Sequence, residues 1–342
     1  MLRALMEDSP RSGWRRAIVG GGAVVGAAAA FNAIVRRRVP PLENLLGGTE
    51  EWFEWRGHRI AHTVRGQGTP VLLVHRIHAA ASSQEWMGVV ELLARQHTVH
   101  TIDLLGFGRS ARPSARYSPG LYLNLLADFA ERVIRRPVAL VANSVSAAYA
   151  VSLAARDPGR FPALVLVAPT GITRLDATAH APSEVVRLLL GVPVLGLAAF
   201  NTLVTRASLR YFLRRCYADP TRVTDELVER YHTVSHQKGA RYAPAAFISH
   251  HLDFDVRDAL RRVSSPMMIV WGEQARMAPV EEVRPFRAVK PAAEVAILER
   301  AGDLPQEERP TEFADAVLGF LKRAGHVAPV APAAESSKPR VA

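Results

Sequence analysis

The sequence predicts an α/β protein: a doubly wound, mostly parallel sheet with a helical cap insertion. Three observations predict it. Short, continuously apolar runs alternate with stretches of helical character, the pattern of a sheet covered on both faces. One run, Leu140-Val141-Ala142, feeds a sharp corner, Asn143-Ser144-Val145, that opens a helix. Residues from about 172 to 255 then break the rhythm with consecutive helical stretches and no strand, as an insertion would.

In chain order, residues 1–42 read as a basic and apolar anchor segment with its linker. Between Arg15-Arg16 and Arg36-Arg37-Arg38 lies an uncharged stretch, Ala17 to Val35. It nearly matches the length needed to cross a hydrocarbon core of about 30 Å. It is rich in Ala and Gly, and Asn32 interrupts it, so insertion would be marginal. Three readings stand side by side: a single-pass or interfacial anchor that meets lipid through residues 11–38, a cleaved twin-arginine export signal, and a helix packed on the body. Arginines at both ends leave orientation undetermined. The anchor reading predicts a membrane-associated protein.

The body follows as a core over 43–171 and 256–324, with the cap over 172–255. Glu51 to Val64 predicts a hairpin turning at Gly57. Val71–His75, Thr98–Asp103, Val138–Ala142, Leu164–Ala168, Met267–Trp271 and Ala293–Leu298 predict strands. Trp86–Arg95, Leu121–Val133 and Ala147–Arg156 predict helices. Within the cap, Val185 to Val204 is apolar apart from Arg187, Pro193 and Asn201, which suits either a lipophilic lid or a packed cap. The tail, 325–342, is Ala, Pro, Val and Ser and predicts disorder.

Charge and cysteine content narrow the partners. The net charge is +11 over 342 residues. Seven arginines against Glu7 and Asp8 put much of it in residues 1–38, and the tail from Lys322 adds more. Charge confined to chain ends suits anionic headgroups better than a DNA groove, and no nucleic-acid motif is present. The single cysteine, Cys216, excludes an internal disulfide; no zinc spacing, nucleotide loop or flavin site is present, so neither metal nor cofactor is expected.

The chemistry concentrates in Ala142-Asn143-Ser144-Val145-Ser146: a serine at the apex of a strand–turn–helix corner, with small residues two positions to either side. Its setting resembles the α/β-hydrolase superfamily, esterase- or lipase-like with a helical cap. Val71-Leu72-Leu73-Val74-His75 followed by Ser82-Ser83-Gln84-Glu85-Trp86 is similar to the oxyanion strand and loop. Asp103-Leu104-Leu105-Gly106-Phe107-Gly108-Arg109-Ser110 resembles the next loop. Met268-Ile269-Val270-Trp271-Gly272-Glu273 resembles the acid-bearing strand, and Ala301-Gly302-Asp303-Leu304-Pro305 the histidine loop.

The resemblance implies Ser144 as nucleophile, with the amides of Ile77 and Val145 as oxyanion donors. It also marks departures. The family's acid position is Ala275, its histidine position is Asp303, and its glycine after the oxyanion strand's histidine is Arg76. Asp303 stands either as a base or, the preferred reading, as the partner of Arg276 in an ion pair. His75, Arg76 and His78 are candidate binding groups; His78, His250 and His251 are candidate substitute bases. A serine without a proton acceptor is a weak nucleophile. The expectation is therefore a membrane-associated protein with a degenerate triad, binding a small apolar or acyl-type ligand between core and cap. The alternative is a serine hydrolase using Ser144 with a non-standard base.

Overall fold

The computed structural model describes residues 10–37, 39–173 and 181–326, with side chains from residue 22 onward except those of 181–183. The start of the expected anchor (1–9), Arg38, cap positions 174–180 and tail positions 327–342 lie outside the described residues.

The described chain begins with α1 (Pro10–Arg37), a 28-residue helix that starts ahead of Arg15-Arg16, runs through the Ala/Gly stretch and ends at Arg37. The hairpin β1 (Thr49–Trp55) and β2 (His58–Arg65) turns at Arg56-Gly57, both with positive φ. Then come β3 (Thr69–Val74), α2 (Met87–Ala94), β4 (His97–Ile102), α3 (Pro119–Phe129), β5 (Ala139–Asn143), α4 (Val145–Arg156) and β6 (Leu164–Val167). Ser118 caps α3 by accepting from the Leu121 amide, with Pro119 at the first helical position.

Between β6 and β7 (Met267–Gly272) the chain is helical: α5 (Ala181–Gly191), α6 (Leu195–Leu203), α7 (Arg206–Cys216), α8 (Asp225–Ser235), α9 (Tyr242–Ile248) and α10 (Arg257–Arg262). Pro193 removes a donor and breaks the apolar 185–204 run, so α5 and α6 meet at 109°. The last elements are α11 (Val283–Val289), β8 (Glu294–Leu298), α12 (Pro305–Glu308) and α13 (Pro310–Arg323).

The eight strands form one sheet in the order β1-β2-β4-β3-β5-β6-β7-β8, parallel from β4 onward. Alternation along β3 explains the continuous apolar run. Leu72 and Val74 face a core shared with α3 and α4, while Val71 and Leu73 face one shared with α2 and α13. The cap has a core of its own, in which Phe200, Leu213 and Val228 pack with Leu304 of the sheet domain.

The chain leaves β3 toward β4 on one side and later enters β5 on the other. The crevice beyond the carboxyl ends of β3 and β5 is therefore the switch point, where open α/β sheets bind ligands. Arg76 follows β3 there and Ser144 follows β5.

Candidate active site

Ser144 holds φ 57° and ψ −124°, a backbone state that costs a non-glycine residue of order 1–3 kcal/mol and persists only where surroundings impose it. The sequence shows how it is imposed. The Ser144 amide donates to the Val167 carbonyl on β6 (2.9 Å), fixing the corner to the neighbouring strand. At the position where the family pattern has its second glycine, Ser146 turns its hydroxyl onto the His75 carbonyl (2.6 Å), pinning α4 to the end of β3. The Val145 amide, first of α4, has no intrahelical acceptor. Among the described residues neither it nor the Ile77 amide makes a hydrogen bond, and neither does the Ser144 hydroxyl.

Ser144 opens into a cavity of about 300 Å³ between sheet and cap. Its walls are largely apolar, from Val145, Ala148, Phe247, Leu252, Phe254 and Met277. The polar groups are Ser144, Arg76, Thr170, His250, Asp253 and Asp303 among others. A largely apolar hollow with a few convergent polar groups is the usual build of a small-molecule site.

Asp303 is buried, and its carboxylate receives three backbone amides, those of Arg276 (3.2 Å), Met277 (3.1 Å) and Ala278 (2.8 Å). This corrects the expected ion pair: Asp303 meets Arg276 through its main chain, and the Arg276 side chain is exposed. The approach is possible because Gly272 and Gly302 lack side chains. A Cβ on Gly272 would lie 2.0 Å from the Gly302 carbonyl, and one on Gly302 2.2 Å from the Cys216 carbonyl. The residue at the histidine position thus reaches across to the loop that follows Ala275 and closes it. Glu308 secures the same turn by accepting the Gly302 and Ala218 amides, both at 2.7 Å.

Of the three candidate binding groups, only Arg76 lines the Ser144 cavity. His75 is fully buried, with Nδ1–H donating to the Arg76 carbonyl (2.6 Å) and Nε2 accepting the Leu104 amide (3.0 Å). Both nitrogens are spent on joining two loops, and burial lowers its pKa. His78 stacks on Tyr231 of α8 and accepts the Ala80 amide, so it ties the loop to the cap; burial and the Arg76 charge hold it neutral. His251 faces Glu184 (2.7 Å). His250 does line the cavity. At φ 57° its Nδ1 lies 2.8 Å from Asp253 Oδ2, an imidazole steadied by a carboxylate.

Sequence reading assigned no role to Glu85 and Asn143. Glu85 is buried beneath Arg76, accepting the Arg76 amide (3.1 Å) and the Asn143 side-chain amide (3.2 Å), with the Arg76 guanidinium 3.8 Å away. A buried carboxylate three positions from a loop serine carries no sequence signal. Burial, against the opposing Arg76 charge, pushes its pKa up to about 8. Because the folded value exceeds the unfolded one, this group's stabilising contribution is complete below about pH 4.5 and disappears as pH rises toward 8. Glu85→Gln keeps the two accepted bonds and cannot ionise. It is expected to remove a pH-dependent loss of roughly 3 kcal/mol between pH 5 and 8, read by denaturant unfolding across that range.

A family model described as the alpha/beta hydrolase family matches residues 71–316. An uncharacterized protein of Mycobacterium tuberculosis is 28% identical over 295 residues, 84% of this chain and 85% of that one. A 2-hydroxy-6-oxo-6-(2'-aminophenyl)hexa-2,4-dienoic acid hydrolase of Metapseudomonas resinovorans is 26% identical over 264 residues, 75% of this chain and 86% of its own. The crystal structure of a serine hydrolase involved in carbazole degradation superposes with TM-score 0.69 at 24% identity, covering 81% of this chain and all of that one. With the elbow at the end of β5, the sheet order and a match over most of its length, the chain belongs to the α/β hydrolase family.

Proposed function

We propose that this chain holds a small apolar or acyl-type ligand in the cavity beside Ser144, at a membrane surface, without the family's serine–histidine–acid relay. One observation carries the reading: the carboxylate at the histidine position accepts three amides of the loop that would bear the acid. Three of its roughly four acceptor sites are therefore engaged by that loop before any serine proton is offered. The mostly apolar walls fit an acyl chain, and the Val145 amide, which lines the cavity without a hydrogen-bond partner among the described residues, fits its carbonyl oxygen. Arginines flanking an apolar N-terminal helix support lipid contact; among the described residues, no single helix is long and apolar enough to cross a membrane.

Displacement of a fluorescent fatty-acid analogue tests the reading. Ser144→Ala is expected to bind within about twofold of the parent, because the hydroxyl contributes one of many contacts, whereas Ala148→Trp, which fills the cavity, abolishes binding. Equal binding by the Ala148→Trp variant would place the ligand elsewhere.

A second reading rests on His250. A cap-borne imidazole, oriented by Asp253 and lining the same cavity, is the group from which a substitute base would come. Under that reading His250→Ala lowers Ser144 labelling by an activated phosphonate at least tenfold, and added imidazole restores it. An unchanged rate removes it.

A further inference from the structure

A second cavity, about 390 Å³, lies where α1 meets the cap, away from Ser144. It is walled by α1, the loop after β4 and the α8–α9 turn. Four cations line it, Arg36, Arg112, Lys238 and Arg241, and no Asp or Glu is among its described lining residues. Like charges gathered in a hollow repel one another unless an anion joins them. Arg112 sharpens the point: its Nη2 is buried with no hydrogen-bond partner, and burial lowers its pKa to about 10. The nearby carboxylate, Asp103, is engaged by the side chain and amide of Arg109. Arg241 is held in place, with Nε donating to the Leu190 carbonyl and Nη2 to Tyr242.

The surroundings distinguish a lipid phosphate from a free one. Asn32 of α1 donates to the Val194 carbonyl and accepts from Asn201, fastening α1 to α6 at the rim of the cavity. Beyond that seam α1 exposes Val24, Val25, Phe31 and Ile34, and the bent α5–α6 pair exposes Leu188, Leu189, Leu195 and Leu203. Apolar groups grouped this way mark a contact surface, and arginines beside them match an anionic leaflet.

We infer that the cavity formed by Arg36, Arg112, Lys238 and Arg241 binds the phosphate of an anionic phospholipid while the exposed faces of α1 and α5–α6 lie in the leaflet. The inference rests on the membrane reading above and adds a headgroup site to it. Arginine suits this role because its planar fork binds phosphate oxygens in pairs.

The test is sedimentation of the full-length protein with phosphatidylcholine vesicles, with and without phosphatidylglycerol. Phosphatidylglycerol is expected to raise the partition of the parent, and Arg112→Gln/Lys238→Gln to cut that increase about thirtyfold, at roughly fivefold for each lost contact, leaving phosphatidylcholine binding unchanged. Lys238→Gln and Arg36→Gln, both at exposed positions, are expected to cut it severalfold each, so the test survives if the Arg112 variant does not fold. Equal partition of the parent onto both vesicles overturns the headgroup site and leaves the membrane reading standing. A phosphatidylglycerol preference that survives all the variants also overturns it. Binding to neither vesicle sinks both, as does a dimer that buries this face in their absence. Stabilisation by inorganic phosphate without vesicle binding overturns the lipid source.

Discussion

Asp303→Ala is expected to lower the free energy of unfolding by about 3 kcal/mol and to free the loop after Ala275. The buried carboxylate takes three main-chain amides, and its removal leaves those donors facing a gap. Hydrogen bonds to a charged acceptor contribute roughly 1.5–3 kcal/mol each, and water entering the half-exposed loop offsets part of the loss. Asp303→Asn keeps one carbonyl acceptor without the charge and is expected to cost about half as much. Denaturant midpoints at constant slope measure both. A loss below about 0.5 kcal/mol for the alanine variant would show that the contacts are incidental.

The second large effect is a gain. Ala275→Asp with Asp303→His returns an acid and an imidazole to the positions the family uses, on a frame whose elbow serine already opens into the cavity. General base catalysis by a positioned histidine contributes about 10²–10⁴-fold, so kcat/KM for a short 4-nitrophenyl ester is expected to rise at least about 100-fold. Ser144→Ala in the same background should abolish the gain. Asp303→His alone is expected to gain much less, because its imidazole has no carboxylate to fix the tautomer and the 276–278 amides lose their acceptor. If the double variant gains nothing while remaining folded, Arg76 or the cavity's shape, and not proton transfer, limits Ser144.

The sheet was legible because burial on both faces writes long apolar runs: the strands begin and end within one or two residues of the positions read from Val71, Val138 and Met267. The elbow was legible because only small residues fit beside a strained corner, although the Ser146 hydroxyl's bond to His75 was not, since it joins residues 71 positions apart. The Asp303 contact was misread for a similar reason. Sequence offers side chains as partners, and the partners here are main-chain amides. His250 and Asp253 were invisible as a pair in the cavity, because the cap's position over the sheet is set by packing of Phe200, Leu213 and Leu304 and not by any local pattern.

The most direct measurement is the rate at which a fluorophosphonate probe labels the purified parent at neutral pH, beside Ser144→Ala, Asp303→Asn and the Ala275→Asp/Asp303→His variant. With the 303 carboxylate tied to its loop, the parent is expected to label slowly, at a rate unaltered by Asp303→Asn and at least about 100-fold below the rebuilt variant. Fast labelling of the parent at Ser144 that Asp303→Asn abolishes would contradict the account, because Asp303 would then be the proton acceptor.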